Sequence, residues 1–420
     1  MGRPSASAVG SSGGDDGRPE TVSVSSSAEP VGPGGLEQAD VGEFEQAGGW
    51  PGILARLASG EDLGSAEARL ALSEVLLGNA TPAQIAAFVF GLRCKGETIE
   101  EMTGLVSAML GAAERVVLPE ALSDRLVDTC GTGGDRSGTI NVSTIAALVV
   151  AGAGVPVCKH GGRAASSKAG SADVLEALGV VIDLGPAGVA RCVTEAGIGF
   201  CFAPRYHPAM RHSVPVRREL GVPTAFNFLG PLANPAGVRR QVVGVGDPAM
   251  AEKMARVLAA GGANHVLVVH GADGLDELST TGPSTMYEYR VLSPATRAVE
   301  EVEPASVGDT GQTPAVRGDV VAVSVDPGEL GLAPARLSDL LGGDAGTNAQ
   351  LARRVLEGEL GPHRDIVLLN AAAGLMVAGA VTSLAEGIEV GAGVIDDGLA
   401  AKCLDRLISV SNEEAGRQSS

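Results

Sequence analysis

The sequence is poor in aromatic residues and contains no long hydrophobic run. Phe, Trp and Tyr make up 3% of the chain, and no uninterrupted apolar stretch reaches the roughly 18 residues that would predict a transmembrane helix. The six cysteines are scattered, without the C-x-x-C pairs that are typical of zinc sites. We therefore expect no membrane span and no zinc site, and we expect buried free thiols in a reducing compartment, the cytoplasm.

Basic residues are outnumbered by acidic ones. The chain has 31 Lys and Arg against 50 Asp and Glu, which gives a formal net charge of −19. Because such a surface repels polyanions, neither nucleic acid nor an anionic membrane is an expected partner. The same balance means that any anionic small molecule must bind in a locally cationic pocket.

The composition changes between residues 46 and 47. The first 46 residues are rich in Gly, Ser, Pro and acidic residues, so we expect a disordered tail, and they lack the apolar core of a secretory signal. From residue 47 to residue 118 the pattern is helical, with capping-box spacing at Thr81 to Gln84 and at Thr98 to Glu101. This segment predicts a small all-helical domain.

Strand-like and helix-like segments alternate through most of the remaining chain. The alternation predicts a large α/β domain, in which a mainly parallel central sheet is flanked by helices. We assign residues 119–204 and 223–412 to this domain, residues 413–420 to a tail, and the polar residues 290–320 to an exposed hairpin or partly disordered loop. The pattern predicts strands at 126–130, 155–158, 180–182, 198–202, 242–245 and 265–270, and helices at 145–154, 173–178, 186–196, 348–356, 367–378 and 392–408.

Two glycine turns flank one apolar helix between residues 126 and 171. Gly131-Thr-Gly-Gly-Asp135 follows a predicted strand, and the helix-capping residue types Asn141, Ser143 and Thr144 come next. The second turn adds two cations and two hydroxyls, Lys159, Arg163, Ser166 and Ser167. An ordinary strand–helix connection is an alternative for the first turn alone. The pair of turns favours a phosphate site, because glycine lets backbone N–H groups approach an anion at a helix N-terminus.

Two further clusters of charge are candidate binding elements. The segment from Arg205 to Glu219 contains four Arg and two His. It fits either a solvated helix face or a cationic wall, since Arg binds carboxylates in a bidentate manner. Asp273-Gly-Leu-Asp-Glu277 places adjacent carboxylates in a loop directly after a strand. That loop is either a surface turn or a Mg²⁺ site, because Mg²⁺ commonly bridges carboxylates and substrate phosphates.

Several long motifs follow one another along residues 50 to 410. They are Gly131-Thr-Gly-Gly-Asp135, Asn141-Val-Ser-Thr144, Lys159-His-Gly-Gly-Arg-Ala-Ala-Ser-Ser167, Ala172-Asp-Val-Leu-Glu-Ala-Leu-Gly179, His207-Pro208, Val216-Arg-Arg218, Phe226-Asn-Phe-Leu-Gly-Pro-Leu-Ala-Asn-Pro235 and Asp273-Gly-Leu-Asp-Glu277. In this order they resemble the motifs of the anthranilate phosphoribosyltransferases of tryptophan biosynthesis. The resemblance implies that the helical domain, joined by residues 205–222, forms a homodimer interface and hinges against the α/β domain.

The resemblance also implies two substrates, anthranilate and 5-phosphoribosyl 1-pyrophosphate, with Mg²⁺ as cofactor. It implies that anthranilate contacts Gly131, His160, Gly162 and Arg217, and that Arg217 binds the anthranilate carboxylate. It implies that the phosphoribosyl donor contacts Gly131, Gly134, Asp135, Thr139, Asn141, Val142, Ser143, Thr144, Lys159, Arg163, Ser166, Ser167 and Ser171. Mg²⁺ would be held by Ser143, Asp276 and Glu277.

One position departs from the family pattern. Gly162 stands where the family motif has Asn, and that Asn ordinarily lies against anthranilate. A phosphoribosyltransferase for another aromatic amine is therefore an alternative. A nucleoside phosphorylase would need a Lys-x-Ser-Gly-Arg type of motif, which we do not find. A non-catalytic, nucleic-acid-binding relative would be expected to lose the pair Asp276-Glu277 or to gain a basic groove.

Overall fold

A sheet of seven strands lies at the centre of the α/β domain in the described part of the chain, which in this computed structural model comprises residues 39–135, 137–164, 168–291 and 319–418. Along the chain the strands are β1 (Val127–Gly131), β2 (Val157–Gly161), β3 (Ile198–Phe202), β4 (Arg240–Gly244), β5 (His265–Gly271), β6 (Ser284–Arg290) and β7 (Val321–Val325). Their order in the sheet is β3-β2-β1-β4-β5-β6-β7. The first five are parallel, and β6 and β7 are antiparallel additions at one edge. The predicted mainly parallel sheet is confirmed.

Helices precede, connect and follow these strands. The helices before β1 are α1 (Ala39–Gln46), α2 (Gly49–Ser59), α3 (Ser65–Leu77), α4 (Pro82–Lys95), α5 (Ile99–Gly111) and α6 (Glu120–Ser123). Between β1 and β5 lie α7 (Val142–Gly152), α8 (Ser171–Ala177), α9 (Pro186–Ala196), α10 (Ala203–Tyr206), α11 (Val214–Leu220), α12 (Phe226–Leu232) and α13 (Pro248–Ala260). The chain closes with α14 (Ala345–Leu356), α15 (Pro362–Ala378), α16 (Leu384–Asp396) and α17 (Leu399–Gln418). None of the helices in these described segments combines the length and the apolar character that a membrane crossing requires.

The N-terminal helices begin where their caps place them. Both predicted capping boxes form: Thr81 Oγ1 accepts from the N–H of Gln84 at 3.3 Å, and Thr98 Oγ1 accepts from the N–H of Glu101 at 3.1 Å. The Glu101 carboxylate is fully buried and also accepts from the backbone N–H of Leu63 at 2.9 Å and from Lys95 Nζ at 3.0 Å. One buried acid therefore caps α5 and joins it to the loop before α3.

The parallel part of the sheet is buried on both faces. Along β5, Val266 and Val268 face one hydrophobic cluster, and Leu267 and Val269 face the other, as the alternation of side chains along a strand requires. Helices α7, α15 and α17 cover the second face, whereas α13 and the N-terminal helices belong to the cluster on the first. Burial on both faces explains why these strands are continuous apolar runs in the sequence.

Both predicted tails were too long. Residues 39–46 form α1 because Phe44 is buried, with its ring centroid 5.4 Å from that of Trp50. At the other end α17 continues to residue 418, since Arg191 binds Glu413 at 2.7 Å and Glu414 at 3.5 Å. Residues 1–38, 419–420 and most of the predicted 290–320 loop lie outside the described residues.

Three other predicted elements were wrong. Residues 180–182 are not a strand, because the N–H of Val181 donates to Ser411 Oγ of α17 at 3.1 Å instead of to a neighbouring strand. The predicted helix 392–408 is two helices, α16 and α17, separated at Gly398, whose φ is +68°. Strand β2 runs on to residue 161, so Lys159 and His160 lie in the strand and not in the turn.

Gly104 tests the packing of α3 against α5. A Cβ at this position would lie 2.1 Å from the carbonyl oxygen of Ser65, a backbone atom that cannot move aside. We expect Gly104→Ala to lower the free energy of unfolding by about 1–3 kcal/mol through overpacking. Gly111→Ala on the same helix is the matched control, because nothing lies within 4 Å of its added Cβ. Equal urea midpoints for the two variants would contradict this packing.

Candidate active site

A cleft whose empty space, including the open solvent at its mouth, is about 930 Å³ lies at the carboxyl ends of the central parallel strands. The chain builds the sheet outward from β1 through β2 to β3 and then returns to add β4 on the other side of β1. Such a reversal leaves a crevice at the strand ends, where open α/β sheets bind ligands. The candidate residues that line this cleft are Gly131, Gly134, Asp135, Thr139, Asn141, Val142, Ser143, Lys159, His160, Gly162, Arg163, Ser171, Asp276 and Glu277.

Four candidate residues are not among those lining the cleft. Thr144 is buried behind it, and its hydroxyl donates to Ser171 Oγ at 3.0 Å. Arg217 lies on α11, and Ser166 and Ser167 lie outside the described residues. Residues that were not named as individual candidates also line the cleft, within and beside the two turns, namely Thr132, Gly133, Ser137, Gly138, Ile140, Gly161, Ala164, Ala169 and Gly170. These residues lie next to the motif residues in the sequence, and this proximity is the signal that could have identified them.

Two glycines on neighbouring strands make room for the acidic loop. Gly131 of β1 pairs in register with Gly244 of β4. A Cβ on Gly131 would lie 2.5 Å from Asp276 Oδ2, and one on Gly244 would lie 1.6 Å from the Asp276 carbonyl oxygen. The missing side chains therefore allow the loop after β5 to reach the end of β1. This explains the need for glycine at both strand ends.

Backbone N–H groups of the first turn and of α7 bind the two acids. The N–H of Gly133 donates to Asp276 Oδ2 at 2.7 Å, and the N–H of Ser143 donates to Glu277 Oε1 at 3.0 Å. Ser143 lies in the first turn of α7, where N–H groups lack partners within the helix. The two carboxylates thus occupy backbone N–H groups that the sequence pattern predicts to bind a phosphate.

Burial and mutual repulsion raise the pKa values of these acids. Burial, followed by the nearby charge of Asp135, raises the pKa of Asp276 to about 7. Burial and the charge of Asp276 raise the pKa of Glu277 well above its usual range, and the positive charge of Lys159 opposes this increase. Three carboxyl groups therefore share a region that favours the arrival of positive charge.

Lys159 is buried, and its ammonium lies between β1 and the first turn of α7. Its Nζ donates to the carbonyl oxygen of Thr129 and, at 3.3 Å, to Ser143 Oγ. Thr129 Oγ1 in turn donates to the carbonyl oxygen of Ser143 at 3.0 Å. Placing this lysine inside β2 holds its charge under the cleft, where only 2% of the residue is exposed.

The carboxylate oxygens of this cleft suit a divalent cation that would also be bound by phosphate groups of a ligand. Among the described residues, no three His, Cys, Asp or Glu side chains are arranged to hold a metal ion by themselves. Mg²⁺ does not require such a cage, because it is usually held by one or two carboxylates together with phosphate oxygens and water. Asp276 and Glu277 have the oxygen chemistry, and burial together with the repulsion between neighbouring carboxylates raises their pKa values, a cost that a bound cation would relieve.

His160 is a neutral side chain at the end of β2. Its Nδ1 hydrogen-bonds the carbonyl oxygen of Gly230 in α12 at 2.9 Å, which makes Nδ1 the protonated nitrogen. Burial, reinforced by the neighbouring His207, lowers the pKa of His160 to about 3. Nε2 therefore carries a lone pair, and it has no hydrogen-bond partner among the described residues. This atom is an acceptor at neutral pH and cannot serve as a cation.

The two candidate arginines differ in what they contact. Arg163 is half exposed and bound by Asp173 at 2.8 Å and Glu176 at 2.5 Å, so its charge is already paired. Arg217 has no such acid among the described residues: its guanidinium lies 5.7 Å from the ring centroid of Phe226, and burial lowers its pKa. Phe226 is one helical turn before Gly230, the partner of His160, so α12 contacts both candidate acceptor-binding residues.

Comparison with known proteins agrees with this arrangement. Residues 123–308 and 291–401 match the α/β domain of the glycosyl transferase family, and residues 51–113 match its helical bundle domain. The chain is 50% identical over 368 residues to the anthranilate phosphoribosyltransferase of Salinispora arenicola, an alignment that covers 86% of this chain and 97% of that protein.

Solved structures share the fold. The crystal structure of anthranilate phosphoribosyltransferase from Thermus thermophilus superposes with a TM-score of 0.74 at 40% identity, covering 86% of this chain and 99% of that one. The Saccharomyces cerevisiae enzyme in complex with PRPP and Mg gives a TM-score of 0.74 at 26% identity, with 87% and 98% covered. On this identity, coverage and shared fold, the chain belongs to the anthranilate phosphoribosyltransferases.

Proposed function

We propose that the protein transfers the phosphoribosyl group of 5-phosphoribosyl 1-pyrophosphate to the amine of anthranilate, in tryptophan biosynthesis. The observation that carries the proposal is the acidic pair Asp276-Glu277, held by backbone N–H groups of the first glycine turn and of α7. An activated sugar diphosphate needs backbone donors and divalent cations to neutralise its phosphates, and this cleft places carboxylates that suit such cations beside a helix N-terminus. The family relationship supports the same reaction.

The reaction makes one bond and breaks one. The anthranilate nitrogen bonds to the anomeric carbon, the bond from that carbon to pyrophosphate breaks, and the amine releases a proton to solvent. The buried, neutral His160 does not suit a nucleophilic role, because its Nε2 lies inside the protein. Catalysis then rests on holding the two reactants in line and on neutralising charge on the leaving group.

The donor-binding residues act mainly through backbone and hydroxyl groups. We assign the pyrophosphate to the backbone of Gly131 to Asp135, to the first turn of α7 at residues 141–144, and to Lys159. The N–H groups of Gly133 and Ser143 become available to it only when Asp276 and Glu277 release them. Thr139 and Ser171 add hydroxyls at the rim, and Ser166 and Ser167 are assigned by family resemblance. Because Arg163 is bound by two acids, it contributes to the donor site only if a phosphate displaces them.

Mg²⁺ is proposed to be held by Ser143, Asp276 and Glu277. When bound, it would neutralise the negative charge that grows on pyrophosphate. Ser143 Oγ accepts from Lys159 Nζ at 3.3 Å, so the lysine would keep this oxygen oriented toward the acids. The Saccharomyces cerevisiae structure with PRPP and Mg supports a magnesium requirement.

The acceptor site is assigned to Gly131, His160, Gly162 and Arg217. Arg217 lies against Phe226 of α12 and is a cation available to a carboxylate, since no acid binds its guanidinium among the described residues. Gly162 leaves the wall between β2 and α10 open, because the nearest atom to an added Cβ is that of Ala203 at 4.0 Å. This opening favours a second candidate function, transfer to another aromatic amine.

We also propose a cytoplasmic homodimer that associates through the helical domain. Phe90 of α4 is 47% exposed, and Val214 of α11 and Val222, two residues after that helix, are each 44% exposed. Helices α4 and α11 contact one another, so these apolar groups lie in one region, as expected of an interface. Sedimentation equilibrium should give a dimer for the wild type and a monomer for Phe90→Asp. A wild-type monomer at micromolar concentrations would overturn the proposal.

A fluorescence assay tests the function directly. Loss of anthranilate fluorescence should require both Mg²⁺ and 5-phosphoribosyl 1-pyrophosphate, and one pyrophosphate should appear for each anthranilate consumed. Substituted anilines and aminobenzoates in the same assay separate anthranilate transfer from transfer to another amine. A protein that releases pyrophosphate with a different amine and leaves anthranilate untouched would replace the first candidate with the second.

Asp276→Asn should separate activity from stability. Removing one of three crowded, partly buried carboxylates relieves repulsion, so in EDTA at pH 8 the variant should have a higher Tm than the wild type. The amide can still accept from the N–H of Gly133. Activity should fall about 100-fold or more, because a metal ligand is lost. Asp405→Asn, an exposed carboxylate of α17, is the control and should change neither quantity. A lower Tm for Asp276→Asn would contradict this account of the acidic cluster.

Gly162→Asn should restore the amide of the family motif. The position has an ordinary backbone φ and open space for a side chain. One added hydrogen bond is expected to lower the KM for anthranilate by up to about tenfold while leaving the KM for the donor unchanged. Gly393→Asn on α16, also sterically open, serves as the control. An unchanged or raised KM for anthranilate would indicate a site built for a different amine or one that does not need the amide.

A further inference from the structure

Asn348 lies behind the donor site, although it is more than 200 residues from Asn141 in the chain. It belongs to the first turn of α14 and is 2% exposed. Its Oδ1 accepts from the N–H of Gly343 at 2.7 Å, and its Nδ2 donates to Asn141 Oδ1 at 2.8 Å. Asn141 Nδ2 donates in turn to the carbonyl oxygen of Ala169 at 3.0 Å. Two side-chain amides therefore join α14 to both glycine turns.

The backbone fixes the orientation of both amides. The N–H of Gly343 can only donate, so the Asn348 atom facing it must be the oxygen. The Asn348 nitrogen then faces Asn141, whose oxygen must meet it. The carbonyl oxygen of Ala169 can only accept, so the Asn141 nitrogen must face that oxygen. Neither amide can flip without setting two oxygens or two donors against each other.

Asn141 is where the two turns meet. It is the residue before α7 and lines the cleft, yet its side chain makes no capping bond to α7. Its amide binds Ala169 in the second turn instead, next to Ser171, whose hydroxyl receives the bond from Thr144. The segment before α14 is also bonded to the loop between the first turn and α7. The N–H of Gly342 donates to the carbonyl oxygen of Gly138 at 2.9 Å, and the N–H of Ile140 donates to the carbonyl oxygen of Leu340 at 3.1 Å.

We propose that Asn348 is a positioning residue for the phosphoribosyl donor. It acts through Asn141, whose amide it orients so that the two turns keep the separation that the donor's phosphates require. It contacts neither substrate. The inference rests on the proposed function, because it assigns a determinant of affinity to the same site.

Asn348→Asp tests the inference with the smallest possible change. The carboxylate still accepts from Gly343, and the first turn of a helix favours a negative charge. Burying that charge without a cation costs stability, so the Tm should fall while the fold is retained. The other oxygen now faces Asn141 Oδ1, and a flipped Asn141 would face Ala169 with its oxygen. Titration calorimetry with Mg²⁺ and 5-phosphoribosyl 1-pyrophosphate should show about a tenfold higher Kd. The KM for anthranilate should stay at the wild-type value.

A matched control and a mutant cycle complete the test. Asn412→Asp on α17 removes an amide that donates to Gly179 and Ile408, away from the cleft, and should leave the donor Kd unchanged. If Asn348 acts through Asn141, then Asn348→Ala combined with Asn141→Ala should weaken donor binding no more than Asn141→Ala alone.

Three results would overturn the inference. One is a donor Kd for folded Asn348→Asp within about twofold of the wild type, since a lost bond of this kind changes Kd about tenfold. Another is strict additivity in the cycle. The third, no donor binding by the wild type at all, would overturn the proposed function as well and is recognised before any variant is made.

Discussion

The close approach of Asp276 to the ends of β1 and β4 is the contact on which the site depends. It requires that neither Gly131 nor Gly244 carry a side chain, and that these residues stay in register. The loop is held from behind by Asn370 of α15, which accepts from the N–H of Leu278 at 3.0 Å and donates to its carbonyl oxygen at 2.8 Å. Sheet register and a buried amide together fix where the carboxylates lie.

This placement is unfavourable for the protein alone. Buried carboxylates that repel one another raise the free energy of the folded state, which is why the pKa values of Asp276 and Glu277 rise. The surrounding N–H donors and the buried ammonium of Lys159 offset part of that repulsion. What remains is an attraction for divalent cations, and hence for a phosphorylated ligand that brings them. Strain at the site and affinity for the donor have the same electrostatic origin.

The sequence predicts the sheet and the two turns because their signals are local. Glycine turns after apolar runs, capping boxes and an adjacent Asp-Glu pair are visible within a few residues of one another. The burial of Lys159 is not visible in this way, since it depends on β2 extending past the point where its apolar run ends. Asn348 and Asn370 escape sequence reasoning for a similar reason: an Asn in a helix has the same local pattern whether it faces solvent or holds a loop 92 or 207 residues away. Arg163 shows the opposite error. The local pattern predicts a cation for the phosphates, but in the structure its guanidinium is already paired with Asp173 and Glu176.

The two halves of the proposed reaction are held by different parts of the fold. Donor groups lie on β1, α7 and β2, supported from behind by the residues before α14. The acceptor side depends on α12, whose Phe226 lies against Arg217 and whose Gly230 binds His160. A change that shifts α12 therefore alters contacts to the acceptor while the amide chain from Asn348 to Ala169 stays in place. The choice of acceptor can thus vary while the donor site stays constant. Gly162, where the sequence departs from the family motif, belongs to the proposed acceptor site.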